Sequence, residues 1–324
     1  MGHYTLFIVH YSLTPMQTPI TASAPPRTRY WVGALCVFLA AFCFALKGVL
    51  IKVGYGYGVD SIDLLTLRML FSMPFYGGTL LWLSQRLPPL QLPAKQWGIV
   101  ALLGITGYYL ASYTNFLGLL YIDASLERIL LFCYPTFVLL MNATVLKRRV
   151  AGLQWLALAL TYTGILIAFL PHLTSGENTH MIWLGAFWVV LSGLIYAIYL
   201  VGSDTMIARL GAQRYTCYAL LAAVVPTVVH NAIENGLHLA QFPLRVYGLG
   251  LLMALVNTVI PTFLMAEGIK RVGSSNASII GSIGPIFTIV LATSILGEHI
   301  SGWQFVGTAL VLAGVFLIGW KGKK

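Results

Sequence analysis

The sequence predicts an all-α integral membrane protein, with ten transmembrane helices arranged as two inverted five-helix repeats. Three observations lead there: an apolar composition, a series of apolar segments of bilayer length, and an internal match at constant offset. Hydrophobic residues make up 58% of the 324 positions and charged residues 9%, with a mean hydropathy of +0.84. A soluble domain carries about 25% charged residues. Barrel strands would alternate polar and apolar positions; these segments do not.

A spanning helix needs about 20 mostly apolar residues. Segments that qualify run approximately over 31–53, 62–84, 96–119, 124–146, 151–170, 181–203, 214–233, 245–268, 275–296 and 301–320. Turn chemistry separates them, in Gly54–Gly58, Pro88-Pro89, Pro171, Gly211, Gly236, Gly273 and Gly302. Trp31, Trp97, Trp183, Trp303 and Trp320 fall near segment ends, where amphipathic rings favour the interface. Residues 1–30 read as a disordered lead-in containing Pro15, Pro19, Pro25 and Pro26, with Met16 as an alternative start. The apolar run Tyr4–Val9 lacks the positive region of a secretory signal.

The stretch Ala124–Val150 returns as Ser274–Ile300. Pro135 falls on Pro285, Phe137 on Phe287, Leu146 on Leu296 and Val150 on Ile300. The register extends to Gly118 on Gly268, Gly152 on Gly302, Gln154 on Gln304 and Gly164 on Gly314. This duplication divides the chain into repeats over 31–170 and 181–320. In a looser register Gly33 coincides with Gly185, and Lys47 with Tyr199.

Charge sets the orientation. With a cytoplasmic N-terminus, 14 of the 19 Lys and Arg lie inside: Arg27, Arg29, Arg86, Lys95, Lys147, Arg148, Arg149, Arg209, Arg214, Lys270, Arg271, Lys321, Lys323 and Lys324. Two, Lys52 and Arg245, lie outside, and Lys47, Arg68 and Arg128 lie within segments. The positive-inside rule then places both termini in the cytoplasm. Five segments per repeat is an odd number, so the second copy is inverted. Inverted repeats that rock about a midplane site are a common design of secondary transporters.

The net charge of +10 invites a nucleic-acid partner, but the cations sit in short loops between apolar segments, so the expected surroundings are lipid and no nucleic acid. Cys36, Cys43, Cys133 and Cys217 show neither metal-ligand spacing nor a disulfide framework and read as packing residues. No phosphate-binding loop, zinc-protease helix or nucleophile elbow is present, so neither ATP, a cofactor, a metal nor enzymatic catalysis is expected. Gly54-x-Gly56-x-Gly58 reads as a turn. Asn142-Ala143-Thr144 is a glycosylation acceptor only formally, because it lies inside a segment.

Ala124–Val150 and Ser274–Ile300, each a proline-centred segment ending in a short turn, resemble the EamA-like members of the drug/metabolite transporter superfamily. Leu296-Gly297-Glu298-His299-Ile300 is similar to that family's Leu-Gly-Glu-Arg-hydrophobic turn. Leu146-Lys147-Arg148-Arg149-Val150 departs from it, lacking Gly-Glu. Gly152–Ala168 and Gly302–Ile318 resemble its closing Gly-hydrophobic-Gly segment, and Arg68 sits where many members carry an arginine. The resemblance covers about 31–320. It implies secondary transport of small metabolites across the plasma membrane (the inner membrane of a bacterium) but no one substrate, since members carry amino acids, nucleosides, sugars, vitamins and drugs, often outward; the expected function is export of a small polar metabolite or amino acid. A membrane-embedded enzyme acting on lipid-linked substrates is the alternative; Asp123, Glu127, His172 and His180 are the few groups near one interface that it could use.

Charged groups inside a membrane segment cost at least about 2.5 kcal/mol each, so each needs a reason. Lys47, Arg68, Glu127 and Arg128 all fall within roughly 10 Å of the outer end of their segments. Glu127 is the acid placed to pair with Lys47 and Arg128 in a gate or substrate site, and the residual positive charge suits an anionic substrate group. Snorkelling to the interface is the alternative, easiest for Lys47 and Arg68. Arg128, Pro135 and Asn142 are spaced by seven and share one stripe. Pro135 and Pro285 each free a backbone carbonyl and mark a kink that serves either conformational exchange or packing. Tyr108, Tyr113, Asn115, Tyr196, Tyr199, Asn257 and Thr262 can hydrogen-bond a substrate or a neighbouring helix.

Overall fold

A computed structural model describes residues 27–89, 92–145, 152–174, 179–236 and 238–320. The lead-in before residue 27, the Lys147-Arg148-Arg149 turn, Glu177 and the C-terminal lysines lie outside these. The chain begins with α1 (Arg27–Gly56) and α2 (Ser61–Arg86). Then α3 (Ala94–Gly104) runs through a π-helical segment (Ile105–Leu110) into α4 (Ala111–Tyr121). There follow α5 (Ala124–Leu131), α6 (Tyr134–Thr144), α7 (Gly152–Thr174), α8 (Thr179–Leu210) and α9 (Ala212–Asn235). After a 3-10 turn (His238–Gln241), α10 (Leu244–Ala254) passes through a second π-helical segment (Leu255–Val259) into α11 (Ile260–Val272). The chain closes with α12 (Ser274–Gly281), α13 (Gly284–Leu291), a third π-helical segment (Ala292–Leu296) and α14 (Gly302–Trp320).

Among the described residues no strand occurs, and eight helical runs are long and apolar enough to cross a bilayer by length and composition. A shorter apolar helix covers Gly302–Leu317. Bulky apolar side chains such as Leu81, Trp82, Leu102, Ile233 and Leu244 remain exposed, as expected for helices that are apolar on every face and meet lipid.

The breaks in regular helix recur with the sequence repeat. The π-helical segments begin at Ile105 and Leu255, the short helices at Ala124 and Ser274, and the helices beyond them at Tyr134 and Gly284. Members of each pair are separated by 150 positions. The proline-centred segments are thus not single kinked helices. Each is two helices joined by a turn, at Phe132-Cys133 and Ser282-Ile283. Pro135 and Pro285 sit in the first turn of the second helix, where a missing N–H costs little. Tighter bonds close the turns, Cys133 N–H to Leu130 O at 3.0 Å and Ile286 N–H to Ile283 O at 3.0 Å.

Small residues set the helix contacts. A Cβ on Gly268 would stand 3.1 Å from the Gly33 carbonyl, one on Gly185 3.1 Å from the Gly118 carbonyl, and one on Gly164 2.5 Å from the Gly307 carbonyl. Backbones therefore meet directly between α1 and α11, α4 and α8, and α7 and α14. Without a hydrophobic force between helices in lipid, such close approach is the main source of packing energy. All four cysteines are free thiols. The largest core joins α1, α2, α4, α9 and α10 through Ile51, Leu65, Met69, Phe116, Leu220 and Met253.

Candidate functional site

Glu127 is the acid among Lys47, Arg68, Glu127 and Arg128. It lies in the first turn of α5, where the helix dipole favours a carboxylate, and it is only 1% exposed. Asn115 on α4 donates from Nδ2 to Glu127 Oε1 at 2.6 Å. A Cβ on Gly48 of α1 would lie 3.4 Å from Glu127 Oε2. Lys47, the preceding residue, is within electrostatic range of Glu127, Arg68 and Arg128. The sequence pairs Glu127 with the cations, whereas its direct hydrogen-bond partner is Asn115. Among the described residues no Lys or Arg nitrogen stands within 4.0 Å of it.

Arg128 reaches from α5 to the matching break of the second repeat. A Cβ on Gly284 would meet Arg128 Nη2 at 2.7 Å, so glycine at that position makes room for the guanidinium. The same guanidinium lies 5.5 Å from the centre of the Phe132 ring. Arg68 is only 6% exposed and turns into the protein, with its guanidinium 5.3 Å from the Phe116 ring centre. It does not snorkel.

Aromatic residues wall the interior beside this cluster. Tyr134 packs edge-on to Tyr196 at 5.4 Å, and Tyr196 stacks on Tyr199 at 5.8 Å. Tyr199 donates its hydroxyl to Tyr108 at 3.2 Å. Tyr76 on α2 donates to the Thr258 carbonyl at 3.1 Å. A cavity of about 240 Å³ ends against Tyr76, Cys217 and Thr262 and opens beside Ala212, Gln213 and Ile269. A larger, shallow groove of about 560 Å³ runs over the exposed Phe75 and Trp82. It shares Gln213 and Phe263 with the cavity, and no charged residue lines either.

At the far end of α5 from its break, Glu298 caps the helix. Its Oε1 accepts Ala124 N–H at 2.8 Å, and its Oε2 accepts Ser125 N–H at 3.1 Å and Ser125 Oγ–H at 2.6 Å. Asp123, the residue placed to cap α5, makes no side-chain cap bond. The carboxylate satisfying this helix end therefore comes from the other repeat.

The sequence candidates divide accordingly. Lys47, Glu127, Arg128 and Asn115 lie together. Tyr108, Tyr196 and Tyr199 form the wall. Pro135 and Pro285 mark the two turns. Asn257 lies in the second π-helical segment, buried beside Tyr76's partner Thr258. Asn142 is 14 residues beyond Arg128, roughly 21 Å along helix, and is not brought to the cluster.

Sequence reasoning missed a second polar group near the end of α9. There the Asp63 carboxylate accepts from Asn231 at 2.5 Å and from Asn235 at 3.0 Å. His230 is 2.8 Å from the Tyr109 hydroxyl and 2.9 Å from Glu234. Two i,i+4 pairs on one helix, Asn231/Asn235 and His230/Glu234, were the available signal.

These features define a class: an all-helical, multi-pass membrane protein with a buried charged interior at paired helix breaks. The EamA-like transporter family matches residues 31–170 and 183–320, and the chain belongs to that family. It is 31% identical over 294 residues to "Uncharacterized transporter YcbK" of Bacillus subtilis, covering 88% of this chain and 91% of the relative. It is 28% identical over 299 residues to "Probable terminal-alkyne amino-acid exporter" of Streptantibioticus cattleyicolor, covering 89% and 92%. A solved crystal structure matches with a TM-score of 0.62 at 14% identity, covering 90% of this chain and 99% of that one, a likeness of fold alone.

Proposed function

We propose that this protein is a secondary active exporter of a small polar metabolite or amino acid, working by alternating access across the plasma membrane. The proposed architecture is ten spans in two inverted repeats, 31–170 and 181–320, with both termini cytoplasmic. The carrying observation is the interior cluster of Lys47, Arg68, Glu127 and Arg128, which joins the turn of one repeat to the turn of the other through Arg128 and Gly284. Three cations and one acid leave a net positive interior, suited to a substrate bearing a carboxylate. The name of the Streptantibioticus relative supports an amino acid.

In this orientation the Glu298 contacts close the outer end, while the cavity beside Gln213 opens inward. The state is then inward-facing. Rocking the repeats about the paired turns would release Glu298 and expose the cluster outward.

A second reading, an enzyme acting on lipid-linked substrates, draws on one observation: Asp63, His230 and Glu234 gather near the outer end of α9. These groups are already partnered by Asn231, Asn235 and Tyr109, which favours a packing role. Proteoliposome efflux distinguishes the two. Gradient-driven movement of an unmodified amino acid or small metabolite, lost when the gradient is collapsed, is the expected result. Chemical conversion of a lipid-linked compound without net movement would overturn the transport reading.

A further inference from the structure

The interior holds polar atoms that nothing in the fold satisfies. Asn257 is only 4% exposed, yet among the described residues neither its Nδ2 nor its Oδ1 has a hydrogen-bond partner. The Thr258 hydroxyl beside it and Nε of Arg68 are buried and unpartnered as well. Leaving a buried polar group unpaired costs about 1–3 kcal/mol, and a charged one more. Four such atoms on two neighbouring helical stretches are a recurrent burden unless a ligand meets them.

They do converge. Leu67 on α2 packs against Gly250 on α10, where a Cβ would stand 2.9 Å from Leu67 Cβ. Further along, the Tyr76 hydroxyl reaches the Thr258 carbonyl, so α2 and the second π-helical segment run side by side over this interval. The guanidinium of Arg68 is within electrostatic range of that same Tyr76. A π-helical segment widens the turn and turns its side chains away from helical register, a local distortion often found at functional sites. The inward cavity is lined by Tyr76 and Thr262, whose hydroxyls both donate to the Thr258 carbonyl.

We propose that Arg68, Asn257 and Thr258 form the carboxylate subsite of the transported molecule, and that this molecule is a 2-substituted carboxylic acid, an α-amino or α-hydroxy acid. Arg68 and the donors Asn257 Nδ2 and Thr258 Oγ match the two carboxylate oxygens. Asn257 Oδ1 remains as acceptor for an ammonium or hydroxyl on the adjacent carbon, which is why a simple carboxylate satisfies the site less well. The inference rests on the transport reading above, and names the substrate class it would carry.

The test is ligand-induced thermal stabilisation of the purified full chain in lipid nanodiscs. The probes are proteinogenic L-amino acids, matched 2-hydroxy acids, the corresponding primary amides, unsubstituted carboxylates and inorganic phosphate. An amino or hydroxy acid should stabilise the wild type, while its amide should need at least about a tenfold higher concentration. Arg68→Gln should abolish the effect, and Arg68→Lys should restore part of it.

Arg68→Gln could fail to fold, so Asn257→Asp provides the second variant. Its new carboxylate pairs with Arg68 in the unliganded protein, which should melt at a higher temperature than wild type yet no longer respond to the acids. Amides acting as well as acids, phosphate acting in their place, stabilisation by no acid at all, or an unchanged acid response in Arg68→Gln or Asn257→Asp would each overturn the subsite. Proteoliposome exchange separates this from the transport reading. Acids that stabilise but are not moved sink transport and leave the subsite standing. Movement of a solute untouched by Arg68→Gln does the reverse.

Discussion

Replacing Glu298 with alanine removes the contact by which the second repeat holds the start of α5. Three bonds depend on that carboxylate, to Ala124 N–H, Ser125 N–H and Ser125 Oγ–H, at 2.8, 3.1 and 2.6 Å. A helix-capping bond is worth about 0.5–2 kcal/mol, and a negative charge at a helix N-terminus adds about 0.3–1 kcal/mol. With three bonds and a full charge, the loss on opening is about 1.5–3 kcal/mol. At 1.4 kcal/mol per factor of ten, Glu298→Ala should shift the equilibrium toward an open outer end by about ten- to hundredfold. Glu298→Gln keeps one carbonyl acceptor and should fall between.

A cysteine at Thr288 reports this opening. Thr288 is buried on α13, bonded to the Ala45 carbonyl, between Gly284 and the third π-helical segment. With the native cysteines replaced, a membrane-impermeant thiol reagent added to intact cells should label Thr288→Cys slowly. Adding Glu298→Ala should raise the rate by about tenfold or more, because the rate follows the open fraction while that fraction is small. An unchanged labelling rate with a lower melting temperature would refute the reasoning: Glu298 would then be a static cap carried through both states.

Further expectations follow from the same geometry. An outside-active reporter fused after Lys324 should be silent and one inserted at Glu177 active; the reverse pattern would invalidate the inverted arrangement. Pro135→Ala combined with Pro285→Ala should let helix extend through both turns, since alanine suits a helix interior. The double variant should insert normally but exchange substrate several-fold more slowly, and wild-type exchange would reduce the prolines to a packing detail. Glu127→Gln removes the acid near Lys47 and Arg128, and should impair transport more than Lys47→Gln, which should selectively weaken anionic substrates. Equal transport by Glu127→Gln and wild type, at matched membrane abundance, would remove Glu127 from the site. Gly284→Leu should drive side-chain atoms into the space of Arg128 and cut transport at least tenfold without loss of insertion; unaltered transport would show that the Arg128 contact is incidental.

The apolar, helical character of the chain was legible because burial in lipid is a matter of composition and length, both of which are local. The repeat was legible because a duplication leaves residues such as Pro135 and Pro285 in register, and membership of the EamA-like family followed from the same stretches. What the sequence could not decide is which polar groups meet. Glu298 and Ser125 stand 173 positions apart, and Asp63 and Asn231 168 apart, so no periodicity joins them. Proline announced a disturbance at 135 and 285, but the outcome, two short helices rather than a bent one, depends on neighbours that accommodate the turn, such as Gly284 yielding to Arg128. Arg68 reads alone as a side chain free to reach the interface, and only the packing of α2 against α4 and α10 turns it inward. Glu127 reads as the natural partner of nearby cations, yet Asn115 lies closer. A pairing inside a membrane is settled by which helix faces come together, and that is set by the glycine contacts of the assembled bundle, not by any one segment.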